Sequence, residues 1–304
     1  FLRIKVIRDD LSRYLKLRAG ELDVALNEMD YQKIDWILAG REPLLGAVTA
    51  PGVGFNYIGL NLADERLRDV RVRRALALSF DLGALVRYKS RNLATPAASI
   101  LSPASRWRNQ RLKPLQRNLD EARRLLDEAG WHDGRNEKPK LRLEFKTTNN
   151  PLVIENARVL AAQAREAGFE IVHRPFEWGI FYQDVKSGNT SLYMLRWVGV
   201  VDPGIYFEVF HSGPGAKSNR TRYKNPAMDA AVGRAMAATE FTERKKWFDE
   251  AQRIAAEDFP YVNLWHTHNA AAFRRETRGV RLHTNGSWRT FLSLEKKNEP
   301  ILSP

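Results

Sequence analysis

The stretch LRLEFKTTNNPLVIENARVLAAQAREAGFEIVHR, Leu141 to Arg174, decides the fold class. Leu141, Leu143 and Phe145 alternate with Arg142, Glu144 and Lys146, the period-two pattern of a half-buried strand. Asn150 followed by Pro151 is a helix start: the Asn oxygen caps free N–H groups, and Pro sits where no N–H is needed. Val153, Ala157, Leu160, Ala161 and Ala164 then line one helical face, Gly168 closes the helix, and Glu170 to Arg174 reads as strand again. A strand, a helix of this length and a strand form a βαβ unit, whose strands are parallel neighbours. The chain is therefore α/β.

Working outward, Glu177 to Ser187 reads as a helix and Ser191 to Val198 as a third strand that runs into Gly199 and Asp202-Pro203. In open α/β sheets, ligands favour the carboxyl ends of the strands, where a loop opens onto the next helix. Trp197 and the loop Gly199 to Gly204 stand out on that ground. Upstream, Asp69 caps an amphipathic helix in which Val72, Leu76 and Phe80 recur at helical spacing, leaving Arg71 and Arg74 on the wet side. A further helix behind Asn118 carries Leu119, Ala122, Leu126 and Ala129 and ends at Gly130.

Before these, the spacing predicts a strand over Ile4 and Val6, a helix from Asp10 to Ala19, a short strand from Glu21 to Leu26 and a helix from Tyr31 to Ala39. Pro51 and Gly52 then introduce a run, Val53 to Leu62, that is apolar on both faces. Burial on both sides makes it a central or crossing strand, and the run marks a hinge. Downstream come helices Pro226 to Ala238 and Glu243 to Glu257, then strands Tyr261 to His266, Ala270 to Phe273 and Val280 to His283. The tail from Asn298 is expected to be loose.

The 304 residues suffice for one large domain or two ordinary ones, and 43% hydrophobic with 28% charged residues is the composition of a folded globular chain. No apolar run approaches the roughly 20 residues of a membrane-spanning helix. The absence of cysteine removes thiol catalysis, thiolate metal sites and disulfides. The net charge of +13 is local: residues 66–117 hold 13 basic and 2 acidic residues, whereas 1–60 and 150–269 are each balanced. A stretch such as RLRDVRVRR can grip phosphates, which keeps nucleic-acid or polyanion binding as an alternative. It lacks zinc-finger spacing, an RNP-like aromatic motif and a recognition helix, and a solvated helix face explains it better.

Catalytic signatures are missing: the sequence has no GxSxG elbow, no phosphate-cradling GxxxxGK[ST] and no GxGxxG after a strand. His266 and His268 share a strand face without the further ligands a metal site needs. A carboxylate-dependent hydrolase would draw on Asp249-Glu250 and Glu257-Asp258, but these sit on a helix beside Lys245, Lys246 and Arg253, the pattern of a salt-bridged surface.

Several segments resemble, in order, those of the family 5 extracellular solute-binding proteins, the oligopeptide, dipeptide and nickel binding components of ABC importers. They are Leu17-Arg18-Ala19-Gly20-Glu21-Leu22-Asp23-Val24-Ala25, Asn61-Leu62 with Asp69 to Asp81, Ala94-Thr95-Pro96-Ala97, Asp120 to Trp131, and Asn219 to Pro226 with Asp229. The resemblance implies a periplasmic-binding-protein-like bilobal α/β fold that closes on a ligand by hinge motion. Residues 1–62 would form a partial first lobe with the crossing strand, 63–261 the second lobe in full, and 262–304 the return to the first lobe and the tail. The opening FLRIKVIRDD has no leader pattern, and on the resemblance the chain reads as the C-terminal part of a longer protein.

The resemblance also implies a function: capture of a small solute or peptide and delivery to a membrane ABC permease, in the periplasm or anchored by lipid, with no enzymatic activity, no cofactor and no nucleic-acid partner. Trp197 matches the family's cleft tryptophan and Asp202-Pro203 its Asp-Pro at the following helix. Peptide-binding members carry an acid shortly after the tryptophan that holds the peptide amino terminus; here Val198-Gly199-Val200-Val201 has none. Asn56 and Tyr57 in the crossing strand, Tyr206 and Arg222 complete the candidate ligand set. Apolar surface left uncovered in a partial first lobe predicts self-association.

Overall fold

A computed structural model of the chain describes residues 2–27, 29–131 and 140–296. The first half contains helix α1 (Asp10–Arg18), strand β1 (Val24–Leu26), α2 (Tyr31–Leu38), β2 (Leu45–Leu60), α3 (Val70–Leu78), α4 (Leu82–Tyr88), β3 (Ala94–Pro96) and α5 (Leu119–Glu128). The second half contains β4 (Leu141–Thr148), α6 (Pro151–Glu166), β5 (Phe169–Phe176), α7 (Trp178–Ser187), β6 (Leu192–Trp197), α8 (Ile205–Phe210), α9 (Pro226–Ala237), α10 (Phe241–Asp258), β7 (Tyr261–Arg274), β8 (Thr277–Arg278) and β9 (Glu295–Lys296).

Local chemistry starts these helices where the sequence says it should. The Asn150 side chain accepts from the N–H groups of Leu152 and Val153 at the start of α6, Asp69 accepts from Arg71 at α3, and Asn118 from Glu121 at α5. Each such cap contributes about 1 kcal/mol. The βαβ unit forms as read: β4 and β5 are parallel and paired from Leu141–Phe169 to Thr148–Phe176, and β6 joins β4 in parallel on the other side.

One mixed sheet runs in the order β1-β7-β2-β6-β4-β5, with β3 also on β7. Strand β2 lies between β6 and β7 and is antiparallel to both. That position explains its apolar faces. Ile58 and Leu60 enter a core with α3, α5 and α6, while Phe55 and Tyr57 enter another with α7, α8, α9 and α10. Helices thus cover both faces of this part of the sheet. A third, smaller core joins Leu17 of α1, Ile34 and Ile37 of α2, Ala25, Leu45, Leu93, Ala270 and Ala272 around the far halves of β2 and β7.

The two long strands link the small core to the larger ones, and their pairing slips between Ala50 and Gly54. A Cβ on Gly52 would lie 2.3 Å from the Thr267 carbonyl oxygen, so glycine is what lets the backbones approach here. The slip interrupts the ladder at the Pro51-Gly52 step, just before the apolar run Val53 to Leu62.

Five local expectations change. Residues 4–6 are not strand: Ile4 and Val6 are exposed, and no strand among the described residues pairs with them. The central strand begins at Leu45, before the Pro-Gly step, because β7 pairs with it on both sides of the slip. Tyr261 to His266 and Ala270 to Phe273 are one strand, β7, since the same partner spans the polar residues between them. Val280 to His283 is irregular, and the pairing falls instead between β8 and β9. Helix α4 and strand β3 are elements the sequence pattern did not announce. The tail from Asn298 lies outside the described residues.

Candidate functional site

The parallel strands β4, β5 and β6 end together at Thr148, Phe176 and Trp197, where loops lead into α6, α7 and α8. Trp197 is opposite Phe55 across the β2–β6 ladder, which puts both rings on the face that carries Tyr57. Tyr57 stacks on Trp197 with centroids 6.5 Å apart and planes 7° apart, on Phe55 at 5.5 Å and on Tyr261 at 3.9 Å. The result is a column of rings ending in Trp197. Burial, reinforced by the neighbouring phenols of Tyr261 and Tyr193, holds the Tyr57 hydroxyl well above its usual pKa, so it stays neutral.

The loop after Trp197 is apolar and partly open. Val198 and Val201 are 69% and 56% exposed, Val200 is buried, and Gly199 takes the left-handed conformation at φ 71°. Asp202 uses Oδ1 to accept from the Gly204 N–H at 2.7 Å, closing the turn that starts α8, and approaches Arg244 at 3.8 Å. Its carboxylate remains mostly exposed.

The remaining sequence candidates divide by face and by tie. Asn56 projects from the opposite side of β2, where Nδ2 donates to Thr267 Oγ1 at 2.9 Å and the Trp265 carbonyl at 3.3 Å. Tyr206 is wholly buried in α8, edge-on to Phe210. Arg222, at φ 55°, donates to the carbonyls of Arg220 and Lys186 and packs against Gly188, which makes it a loop clamp. Among the six, the structure brings Trp197 and Tyr57 into one stack.

Arg220, which the sequence placed only in a family-like segment, joins that stack. Its guanidinium carbon lies 5.0 Å from the Trp197 ring centroid and 5.1 Å from that of Tyr182, and Nη2 donates to the Tyr182 hydroxyl at 2.9 Å. Guanidinium between two aromatic faces is held by cation–π attraction on each side. The loop that delivers it is firmly built. Asn219 bonds the His211 and Tyr223 carbonyls and the Tyr223 N–H, Leu62 donates to the Thr221 carbonyl, and Asp258 receives Tyr223 and Asn225. No sequence signal could pair residue 220 with residue 197, because their meeting depends on the path of the chain through α8.

The groups behind the alternative readings are engaged elsewhere. Asp249 pairs with Lys245, and Glu250 and Glu257 share Arg253, all along α10. In the basic stretch, Arg66 and Arg71 pair with Asp64 and Asp69, while Arg73 is buried and donates to the carbonyls of Leu67, Arg68 and Asp258. His266 bonds the Ser99 carbonyl and His268 the Thr95 hydroxyl. Among the described residues, no group of three or more His, Asp or Glu is arranged to hold a metal ion, and no helix is long and apolar enough to cross a membrane.

Comparison with known proteins places these features. The family model for bacterial extracellular solute-binding proteins, family 5 Middle, matches residues 2–218. Heme-binding protein A of Haemophilus influenzae is 25% identical over 286 residues, covering 91% of this chain and 50% of that protein. Probable di/tripeptide-binding protein 5 of Pseudomonas aeruginosa is 27% identical over 281 residues, covering 90% and 51%. The chain thus spans about half the length of the curated relatives it matches. Among solved structures, NikA from Brucella suis in complex with Fe(III)-EDTA superposes with a TM-score of 0.86 at 20% identity, over 97% of this chain and 61% of that one. AppA from Bacillus subtilis in complex with a nonapeptide gives 0.81 at 22% identity, over 96% and 60%.

Proposed function

From the premise that the chain belongs to the bacterial extracellular solute-binding proteins of family 5, we propose that it is part of the substrate-binding component of an ABC importer. It takes up a small solute or peptide outside the cytoplasmic membrane, in the periplasm or on a lipid anchor, and hands it to a membrane permease. It performs no covalent chemistry. The observation that carries this reading is the family match over residues 2–218, joined to an aromatic column that ends in Trp197 where the parallel strands end.

In this reading residues 63–261 form one lobe, residues 1–62 and 262–304 belong to the other, and β2 and β7 cross between them at the slip near Gly52. Closure works by population shift: a ligand that touches both lobes only when they are closed stabilises the closed state by its extra contacts. Trp197 supplies the stacking surface with the buried Tyr57 behind it, Asp202 shapes the loop, and Asn56, Tyr206 and Arg222 support the walls. The relatives' names span heme, di- and tripeptides, so the family alone leaves the solute class open.

The test is a thermal-shift screen of the protein against peptides, metal chelates, heme, opines and sugars. A specific ligand at about 100 times its Kd adds about 2.7 kcal/mol to stability and raises the midpoint accordingly. Trp197→Ala should weaken capture at least tenfold without lowering the midpoint of the unliganded protein by a comparable amount. Unchanged capture in that variant would remove Trp197 from the site.

A further inference from the structure

Arg220 has no carboxylate partner among the described residues: its side chain meets the Tyr182 hydroxyl and the rings of Tyr182 and Trp197. An unpaired, partly buried cation is costly, and structures retain one where something else supplies the negative charge. The surroundings do not. The loop beside it, Val198 to Val201, contains no acid. The groups around the guanidinium are phenols, those of Tyr57, Tyr182, Tyr261 and Tyr193.

The same corner holds further polar groups without a well-formed hydrogen bond. Trp197 Nε1 and the hydroxyls of Tyr193 and Tyr261 are buried and complete no hydrogen bond. Tyr193 and Tyr261 are themselves almost wholly buried in the core, and the Tyr261 hydroxyl is within reach of Tyr57 and Trp197, which partly offset the effect of burial on its pKa. Guanidinium and indole N–H groups only donate, and the phenols, which both donate and accept, are not carboxylates, so the corner supplies no anion to Arg220. Its chemical complement is an oxyanion, and the exposed side chains of Val198 and Val201 beside it suit an apolar body.

We infer that Arg220 and the Trp197 ring form a subsite for the carboxylate of an amphiphilic organic acid or acyl peptide. This rests on the solute-binding reading and specifies the charge of the solute at this position. The planar guanidinium, already fixed between two rings, offers its remaining N–H edge as a fork to the two carboxylate oxygens. An incoming amine at this position would instead meet a like charge.

The probes are matched pairs: N-acetyl-leucine, N-acetyl-leucyl-leucine and 4-phenylbutyrate, each beside its neutral carboxamide, with leucinamide as the amine. Binding to the protein is read by titration calorimetry and tryptophan fluorescence. The acids should bind at least tenfold more tightly than their amides and leucinamide. Arg220→Gln should erase that preference, each acid and its amide then binding within about twofold of one another, and Arg220→Lys should keep part of it, since charge survives without the planar fork.

If acids and amides bind equally, or Arg220→Gln keeps the preference, the carboxylate subsite is refuted and solute binding stands. If leucinamide binds best, the sign of the subsite is wrong. If none of the probes binds the folded protein, the inference falls and the solute-binding reading loses its support at this corner. Should Arg220→Gln fail to fold, by circular dichroism, the wild-type acid-to-amide ratio and Arg220→Lys decide the question alone.

Discussion

Acidification from pH 7.5 to pH 5 should destabilise this protein most through the imidazole of His266. Its ring is almost wholly buried in β7 against Phe55, with centroids 5.4 Å apart. A carbonyl only accepts, so the 3.1 Å contact with the Ser99 oxygen makes Nε2 the donor and leaves Nδ1 a bare lone pair. Nδ1 is buried without a partner. Protonation there creates a buried cation with an unpaired N–H, and Arg108 adds like-charge repulsion. Burial, only partly opposed by the Ser99 bond, therefore lowers the pKa from 6.5 to about 4.

The sign follows from proton counts. Below pH 6.5 the unfolded chain takes up a proton that the folded protein refuses until about pH 4. Stability from this site is complete above pH 6.5, declines by up to about 1.4 kcal/mol per pH unit as pH falls, and levels off below about pH 4. At pH 5 the loss is about 2 kcal/mol. Urea unfolding of the wild type and His266→Gln at pH 7.5, 6.5, 5.5 and 5 isolates the site. His173 and His268, whose pKa values burial also lowers, are present in both proteins and cancel. The wild type should lose about 2 kcal/mol more than the variant over this range. Parallel profiles would refute the argument.

Two further substitutions probe the frame around the site. Gly59→Ala places a Cβ 2.1 Å from the fully buried Tyr193 ring, a clash that should cost about 1–3 kcal/mol in urea unfolding and be relieved by adding Tyr193→Leu; a neutral single variant would mean the ring has room to move. Gln252→Leu removes a buried amide that accepts from the Asn109 N–H and donates to the Trp107 carbonyl, so stability should fall by about 2–4 kcal/mol, and a loss below about 1 kcal/mol would show that water replaces the amide.

Much of the fold was legible because its signals are local. Caps at Asp69, Asn118 and Asn150 lie beside the N–H groups they satisfy, and period-two alternation in Leu141 to Lys146 needs only one covered face. The same reasoning failed at Ile4 and Val6, where alternation exists without a partner strand among the described residues. It also split β7, because polar residues inside a strand resemble a turn until the partner that pairs through them is known. Of the candidate site, the sequence pointed to Trp197 as the end of a strand, but the fate of Arg222 and Arg220 was beyond it. Two arginines separated by a single residue look alike in a loop, yet one clamps backbone carbonyls and the other lies between two rings.

The sequence by itself determined the α/β class, the βαβ unit, the doubly buried central strand and the strand-end tryptophan, since each depends on spacing within one element or on the residues that bound it. Tertiary structure alone decided which nitrogen of His266 carries its proton, that Arg73 turns inward, and that Arg220 reaches Trp197 with no carboxylate beside it among the described residues. Those outcomes depend on distances between segments far apart in the chain. Periodicity and capping carry no information about such distances, which the packing of β2, β6 and the α8–α9 connection sets.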